Sequence, residues 1–255
     1  MLWYKAWLET RWRFVIGLVL LVFSAAVAVI AYPRLVKLLP LVPTVEVSGE
    51  LGRRIKEAAD LMRDYRGYVW SQWVRQSMTQ LLTLFAVLLG TGGLLSQTPR
   101  GGAMFTLSLP VSRNRVLAVR AATGLAELLA LAFVPPLLFP MLSPAVGETY
   151  GIGDALVHGA CLFIAGAVVF SLAFLLSTVF TDVWRPALIA GCAATVLGIC
   201  EPFFPDLARY SLFATMDGEV YFRGGGLPWL GLLASTAASV AMLYTATRNI
   251  ARQDF

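Results

Sequence analysis

Three ionisable side chains stand within or beside long apolar runs, where they could do chemistry. Glu127 lies about half-way along one run, His158 near the start of the next, and Glu201 just after the end of a third. A carboxylate at the centre of a membrane helix costs roughly 2.5–3.5 kcal/mol on insertion scales. Glu127 is therefore predicted either to face a cavity or a proton path, or to bond a neighbouring helix in its protonated form. His158 is predicted to be interfacial, and Glu201 either ends a helix or lines an outer vestibule.

The motifs that usually mark catalysis are absent from the sequence. There is no G-x-x-x-x-G-K-[ST] loop for nucleotide phosphates, no H-E-x-x-H and no G-x-S-x-G. The single histidine and the three cysteines (Cys161, Cys192 and Cys200) have no metal-ligand spacing, and we interpret the cysteines as small core residues. We therefore expect a protein that is not an enzyme, with no cofactor or metal bound by this chain.

The composition indicates that membrane helices position these side chains. Of the 255 residues, 58% are hydrophobic and only 14% are charged, whereas soluble domains have about 25% charged residues. The sequence therefore predicts a single all-α membrane domain over 1–255. The net charge of +5 is explained by the bias of basic residues toward the cytoplasmic side of membranes, so we expect no nucleic-acid partner.

Six apolar runs predict six transmembrane helices. Pro33 is expected to close the first, and the prolines from Pro135 onward to prevent a regular helix after the third, which leaves 137–142 kinked or partly re-entrant. A cleaved signal peptide is the alternative for the first run, which is longer than the apolar region of about 7–15 residues typical of such peptides. Gly90, Gly92 and Gly93, near the end of the second run, permit close helix packing. The six runs cover 14–32, 77–95, 116–134, 155–180, 186–200 and 227–245.

Two segments near the first runs have a different character. Residues 1–13 are amphipathic and rich in Trp and basic side chains, which is typical of an interfacial helix. Residues 33–72 form the one sizeable polar region, and apolar residues recur every three or four positions over 51–69, which predicts an extracytoplasmic helical segment. Trp70 and Trp73 are expected to anchor the second helix at the membrane interface.

A basic stretch between the second and third runs, 97–120, is predicted to form a loop at a membrane face. Pro99 and Gly101–Gly102 break any helix that arrives from upstream, and Pro110 ends the apolar-rich piece 103–109. That piece could be a short helix or an extended strand. A loop that only connects two helices needs no apolar segment between helix-breaking residues. The pattern therefore predicts that this stretch docks onto another protein. The basic residues are Arg100, Arg113, Arg115 and Arg120.

The same stretch resembles the "GT…LLSLPVSR" signature of ABC transporter type-2 permeases. The resemblance rests on Gly102 and on Leu107-Ser108-Leu109-Pro110-Val111-Ser112-Arg113. It extends more weakly over the chain, through the basic aromatic start, the six apolar runs and an Arg-x-x-x-Arg-x-Asp-Phe ending. In that family the segment between the second and third helices contacts the ATPase subunit.

The resemblance implies a cytoplasmic coupling loop over 96–116 and a set of partners. These are an ABC ATPase subunit, which would bind ATP and Mg, a second permease in a homo- or heterodimer, and membrane lipids. It also implies that 1–13 is an elbow helix on the membrane surface. The implied coupling residues are Arg100, Gly102, Phe105, Leu107, Pro110, Ser112, Arg113 and Arg115.

Both termini are predicted to be cytoplasmic. With that orientation the inside segments carry ten basic and three acidic residues, and the outside segments ten basic and eleven acidic residues. The basic residues alone split evenly, so the orientation follows from their density in the short loops and from the resemblance. The expected location is the cytoplasmic (inner) membrane of a prokaryote.

By resemblance, the chain is expected to be the permease subunit of an ATP-driven ABC transporter, an exporter that couples a separate ATPase to substrate movement. Two other classes stay open. A membrane scaffold or assembly protein would dock a soluble partner without transport. A proton-coupled secondary transporter would use Glu127 to carry protons.

Overall fold

All regular elements in the described part of the chain are helices, which confirms the all-α prediction. The structure, a computed structural model, describes residues 2–38, 53, 59–91, 113–180, 182–203 and 210–251. Six long helices and two short ones pack around one apolar core. They are α1 (Leu2–Leu38), α2 (65–90), α3 (Arg113–Leu142), α4 (Ile152–Ser177), α5 (Trp184–Cys200), α6 (Leu212–Met216), α7 (Glu219–Phe222) and α8 (Trp229–Ala251).

Helix α1 is unbroken over 37 residues and contains Pro33, so the prediction that Pro33 closes the first helix is wrong. Proline has no backbone N–H and so removes one helical hydrogen bond, but packing keeps the chain helical beyond it. The hydroxyl of the adjacent Tyr32 donates to the carbonyl oxygen of Arg63 at 2.9 Å. The amphipathic stretch predicted at the membrane surface joins the rest of α1 without a turn, and a separate elbow helix remains a prediction.

Helix α2 changes its winding along its length. The carboxylate of Asp64 caps its start and accepts from the backbone N–H of Gly67 at 3.0 Å. A π-helical stretch follows, in which bonds reach five residues back; the Thr79 hydroxyl likewise donates to the carbonyl of Val74 at 2.9 Å. The helix thus begins well before the predicted run 77–95. Its three stretches are Tyr65–Tyr68, the π-helical Val69–Met78, and Thr79–Gly90.

The two tryptophans predicted to be interfacial are core residues. Trp70 and Trp73 are only 3% and 2% exposed. The indole N–H of Trp73 donates to the hydroxyl of Ser24 in α1 at 3.1 Å, and that of Trp70 to the carbonyl of Asp217 at 2.9 Å. Both rings therefore hold α2 to other parts of the chain.

Helix α3 continues through three prolines, which corrects the expected break after the third run. Packing accounts for this continuation. The ring of Phe139 is fully buried and lies against Trp73, with 4.5 Å between centroids. A short 3₁₀ turn, Ser143–Val146, then ends the element at Gly147, whose φ of 79° requires the left-handed region. The three prolines are Pro135, Pro136 and Pro140.

Helix α4 is the centre of the bundle and packs against α2, α3, α5 and α8. Two glycines let neighbouring helices approach it. A Cβ atom at Gly90 would lie 2.5 Å from the carbonyl oxygen of Phe170, and one at Gly124 would lie 2.6 Å from the Phe170 ring. The close packing predicted from the three glycines is therefore confirmed at Gly90, whereas Gly92 and Gly93 lie outside the described residues.

Helix α5 lies at the edge of the bundle. It buries only Pro186, Ala190 and Ala194, so its two cysteines, Cys192 and Cys200, are exposed. The interpretation of the cysteines as core residues therefore holds for Cys161, which is buried in α4, and is wrong for the other two.

The long helices alternate in direction. Arg13, near the start of α1, contacts the end of α2 at Leu88. Arg66, at the start of α2, contacts the start of α4 at Asp154. Asn249, near the end of α8, bonds to the residue that follows α4. The start of α1, the ends of α2, α4 and α8 and the start of α3 therefore share one end of the bundle, the near end. The opposite end is called the far end.

Four helices, α1, α3, α4 and α8, are long and apolar enough to cross a membrane. Helix α5 has 17 residues, at the lower limit of about 17–25 for a span. In α2 the apolar stretch Thr79–Gly90 has 12 residues, and the preceding stretch includes Arg75. The structure is compatible with a membrane protein, and the count of six spans remains a prediction. Of the polar region 33–72, the described parts are largely helical; the rest lies outside the described residues.

Candidate functional site

At the near end, a group of charged and polar side chains joins α1, α2 and α3. Arg13 of α1 lies at the carboxyl end of α2, where its Nη1 donates to the carbonyl oxygens of Leu88 at 2.6 Å and Thr91 at 2.9 Å. The last carbonyls of a helix lack intrahelical partners and carry partial negative charge, so a guanidinium is suited to them. The near-end cluster comprises Glu9, Thr10, Arg13, Arg120 and Glu127.

Two further contacts of the near-end cluster connect α1 to α3. The Nη1 atom of Arg120 lies 3.2 Å from Oε2 of Glu9, and the two side chains are 15% and 26% exposed, respectively. The hydroxyl of Thr10 donates to Oε1 of Glu127 at 2.6 Å. Since α1 also holds the end of α2, one helix connects both helices that flank the segment 92–112.

Glu127 is the most deeply placed acidic group of this cluster. It is 5% exposed, and its second oxygen, Oε2, is buried without a hydrogen-bond partner among the described residues. A buried oxygen without a partner is costly if the carboxylate is charged. The site can therefore take up a proton on Oε2, or present this oxygen to a donor that enters from outside the chain.

Most of the predicted coupling residues lie outside the described part of the chain. The segment that carries them leaves α2 after Thr91 and joins α3 at Arg113, next to the near-end cluster. Arg115 is exposed in the first turn of α3. The coupling residues outside the described part are Arg100, Gly102, Phe105, Leu107, Pro110 and Ser112.

His158 lies at the far end and is fully buried inside the protein, and its place at the membrane interface stays a prediction. Its Nδ1 lies 2.7 Å from the carbonyl oxygen of Asp154; because a carbonyl can only accept, Nδ1 carries the proton. Its Nε2 meets no hydrogen-bond partner in the part of the chain that the structure describes. Gly218, at a φ of 66°, covers the ring so closely that a Cβ there would lie 3.3 Å from Cδ2.

The segment that covers His158 is α6–α7, residues 212–222, and one of its attachments is to Asp154. The carboxylate of Asp154 pairs with Arg66 of α2 at 3.0 Å and accepts from the hydroxyl of Tyr221 at 2.8 Å. The guanidinium of Arg66 also lies over the rings of Tyr221 and Phe222. Charge pairing and ring contacts therefore hold α7 against α2 and α4.

Asp217, between α6 and α7, makes the second attachment. Its carbonyl accepts from Trp70, whose ring stacks on Phe222 with 4.2 Å between centroids. Its carboxylate lies 3.6 Å from Nε of Arg75. Burial raises the pKa of this carboxyl to about 7. The positive charge of Arg75, whose side chain is 53% exposed, opposes that rise.

Glu201 holds the start of α6. Its carboxylate accepts from the hydroxyl of Ser211 at 2.6 Å and from the backbone N–H groups of Leu212 at 2.7 Å and Phe213 at 3.2 Å. These N–H groups belong to the first turn of a helix, where partners are otherwise lacking. The structure therefore places Glu201 at a helix end, which is one of the two positions expected from the sequence.

Sequence reasoning did not single out Thr10, Arg13, Asp154 or Asp217. Arg13 carried a signal, as a basic residue directly before an apolar run. The others are ordinary polar residues until the fold brings their partners close. Among the described residues, no group of three or more His, Cys, Asp or Glu side chains could hold a metal ion.

Comparisons of the chain with protein-family models, with curated proteins and with solved structures find no match.

Proposed function

We propose that this chain is the permease subunit of an ATP-driven ABC transporter, acting as an exporter. The observation that carries the proposal is the pair of contacts Arg13–Thr91 and Glu9–Arg120. They lie on either side of 92–112, the segment with the permease-like signature. A docking element needs a firm mechanical link to the helices it moves, and these contacts supply one.

Coupling would pass through the near-end cluster. The ATPase subunit would bind ATP and Mg and press on the segment between α2 and α3. Because α1 is bonded to the end of α2 and to α3, the three helices would move together rather than singly. Their displacement would reach the far end, where α6–α7 covers His158 beneath the outer surface.

The proposal includes six membrane spans with both termini in the cytoplasm of a prokaryote and a second permease beside this one. The alternating directions of the six long helices support it, since each loop between them would then lie on the side of the membrane that the six-span arrangement predicts. The exposed apolar face of α5 also supports it, because a second subunit could pack against this short helix at the edge of the bundle and bury that face.

The test is co-purification of a candidate ABC ATPase subunit with this chain, together with transport per ATP hydrolysed. Phe105→Ala and Leu107→Asp should release the ATPase or uncouple it, because buried apolar anchors carry most of the affinity of such interfaces. Arg185→Ala is the matched control, since Arg185 is an exposed near-end residue that pairs with the exposed Asp182. Full binding and coupling in both variants would remove the main support for the proposal.

Proton-coupled secondary transport is the second candidate, favoured by the unpartnered Oε2 of Glu127. It predicts transport that follows a pH gradient without any ATPase. Transport in vesicles that contain this chain alone, abolished in Glu127→Gln, would decide for it. A scaffold would bind a partner and show neither kind of transport.

A further inference from the structure

An apolar groove opens between α3, α4 and α8 in the near half of the bundle. Its volume is about 330 Å³, within the range of roughly 300–1,000 Å³ found for small-molecule sites. It lies between three of the four helices that are long enough to cross a membrane. Its lining residues are Leu117, Ala118, Ala121, Phe174, Val240, Leu243, Tyr244 and Thr247.

The groove has an apolar part and a polar end. Six of its lining residues carry only carbon side chains, and the two hydroxyl groups, those of Tyr244 and Thr247, lie on neighbouring turns of α8. Asn114 precedes Leu117 and Ala118 by three and four positions, so it lies one turn nearer the end on the same face of α3. Polar side chains therefore gather where the groove meets the near end, and the Thr247 hydroxyl, which donates to the carbonyl oxygen of Tyr244 at 2.7 Å, can accept a further bond there.

Arg248 adds a positive charge at that end. Its Nε donates to the hydroxyl of Tyr244 at 2.8 Å, and its guanidinium lies 5.2 Å from the centre of the Tyr244 ring. Within the described part of the chain, no acidic side chain pairs with Arg248 or lines the groove. The remaining guanidinium N–H groups are free to bind an anion, and the tyrosine holds them beside the opening.

We propose that this groove binds an anionic phospholipid of the membrane leaflet at the near end. One acyl chain lies along the apolar lining, and the phosphate contacts Arg248, with Asn114 and Thr247 beside it. A helix face inside a bilayer is covered by lipid, and the charge at the polar end selects an anionic headgroup. The inference rests on the proposed membrane placement and is independent of the ATPase.

The experiment compares phosphatidylglycerol with phosphatidylcholine of the same chain length, added to the purified full-length protein. Bound lipid is counted by native mass spectrometry, and affinity is taken from a titration. We expect one tightly bound phosphatidylglycerol that phosphatidylcholine does not replace. Arg248→Gln should weaken it about fivefold, the effect of one basic residue at an anionic surface. Arg185→Gln, which removes another near-end charge away from the groove, should have no effect.

A second variant tests the apolar part. Ala118→Trp fills the groove from an exposed position and should exclude both lipids while the melting temperature stays near that of the parent. Equal binding of the two lipids, or no change in Arg248→Gln, overturns the proposal. A change of oligomeric state in Ala118→Trp would assign the groove to a second copy of the chain instead. Release of the parent from membranes by alkaline carbonate would refute the membrane placement itself, which is a different failure.

Discussion

The guanidinium of Arg13 lies 2.9 Å from the carbonyl oxygen of Thr91, the last described residue before the segment between α2 and α3. The two residues are 78 positions apart in the chain. The contact fixes where that segment leaves the bundle, because it holds the end of α2 against α1. Any partner that moves the segment must therefore move α1 as well.

Replacing Arg13 with Gln should destabilise the bundle and loosen this link. Hydrogen bonds from a charged group contribute about 1.5–3 kcal/mol each in favourable settings. The Thr91 carbonyl loses its guanidinium donor, while the Leu88 carbonyl loses the guanidinium but keeps a donor in the Thr91 hydroxyl at 3.0 Å. We expect a loss of about 2 kcal/mol, seen as a lower melting temperature of the purified protein. Arg185→Gln should change it little, since an exposed i,i+3 ion pair contributes about 0.5 kcal/mol or less. Equal melting temperatures for the two variants would contradict the role given to Arg13.

The contact between Thr10 and Glu127 predicts a coupling in a double-mutant cycle. Thr10→Val removes the one hydrogen-bond donor to Glu127 within the described part of the chain. It should cost about 1–3 kcal/mol, since the buried carboxyl group loses that bond. In a Glu127→Leu background the same substitution should cost much less. Glu127→Gln should keep the fold, because the amide oxygen accepts the same bond. Melting temperatures of the four proteins measure the coupling, and strictly additive effects would argue against the bond.

The apolar runs predicted the helices best where nearly every residue is apolar. The helix predicted over 155–180 is observed as Ile152–Ser177, and the one predicted over 186–200 is observed as Trp184–Cys200. The start of α2 was missed because its π-helical stretch contains Arg75 and other polar residues. That stretch is stabilised by α1 and by α6–α7, and such tertiary contacts are not visible in local periodicity.

The candidate site was less predictable for the same reason. The contact partners Thr10 and Glu127 are 117 positions apart, so spacing along one helix gives no sign of them. The burial of His158 depends on Gly218, which can cover the ring because it has no Cβ. A sequence pattern shows that an ionisable residue is present, whereas its partners come from the packing of distant helices.

Stability should depend on pH through Asp217. Burial raises the pKa of its carboxyl from 3.8 in the unfolded chain to about 7 in the fold. Between these two pH values the folded state binds the proton more tightly than the unfolded chain does. The stability that Asp217 contributes is therefore fully present below about pH 4 and is lost as the pH rises through about 7. Two neighbouring charges act on this pKa in opposite directions. Arg75 favours the charged carboxylate and lowers the pKa, whereas Glu219 disfavours it and raises the pKa.

The test for Asp217 is the melting temperature at pH 5.5 and pH 8. The parent should melt at a lower temperature at pH 8. Asp217→Asn should reduce this difference, because it retains an acceptor for the backbone N–H of Glu219 but cannot ionise. Asp182→Asn, at an exposed pair near the opposite end, is the control. A parent that is more stable at pH 8, with the trend unchanged in Asp217→Asn, would show that another group governs the pH response.

Topology can be tested at the two ends of α3. Cys192 and Cys200 are exposed and must first be replaced by Ala. A cysteine at Asn114 should then react with a membrane-impermeant maleimide only after the cells are permeabilised. One at Thr149 should react in intact cells, because α3 runs from the near end to the far end. Reaction of both from the same side would exclude a single crossing by α3 and with it the six-span arrangement.

The packing of α2 on α4 predicts opposite effects for two glycine-to-alanine substitutions. At Gly90 a new methyl group would lie 2.5 Å from the carbonyl oxygen of Phe170 and 2.8 Å from the Cβ of Ala173. Backbone atoms cannot move aside as a flexible side chain can, so the two helices must separate. Overpacking of this kind costs about 1–3 kcal/mol, which exceeds the gain of at most about 1 kcal/mol from replacing glycine in a helix.

Gly191 of α5 is the matched control, since a Cβ there meets no atom within 4 Å. Gly191→Ala should therefore raise the melting temperature slightly, through the lower conformational entropy of the unfolded chain, while Gly90→Ala lowers it. The same Gly90→Ala protein should also show weaker contact between Arg13 and Thr91, because the end of α2 shifts away from its position. Faster hydrogen exchange in 85–91 would report that shift. If both alanine variants stabilise the protein alike, α2 and α4 do not meet at Gly90.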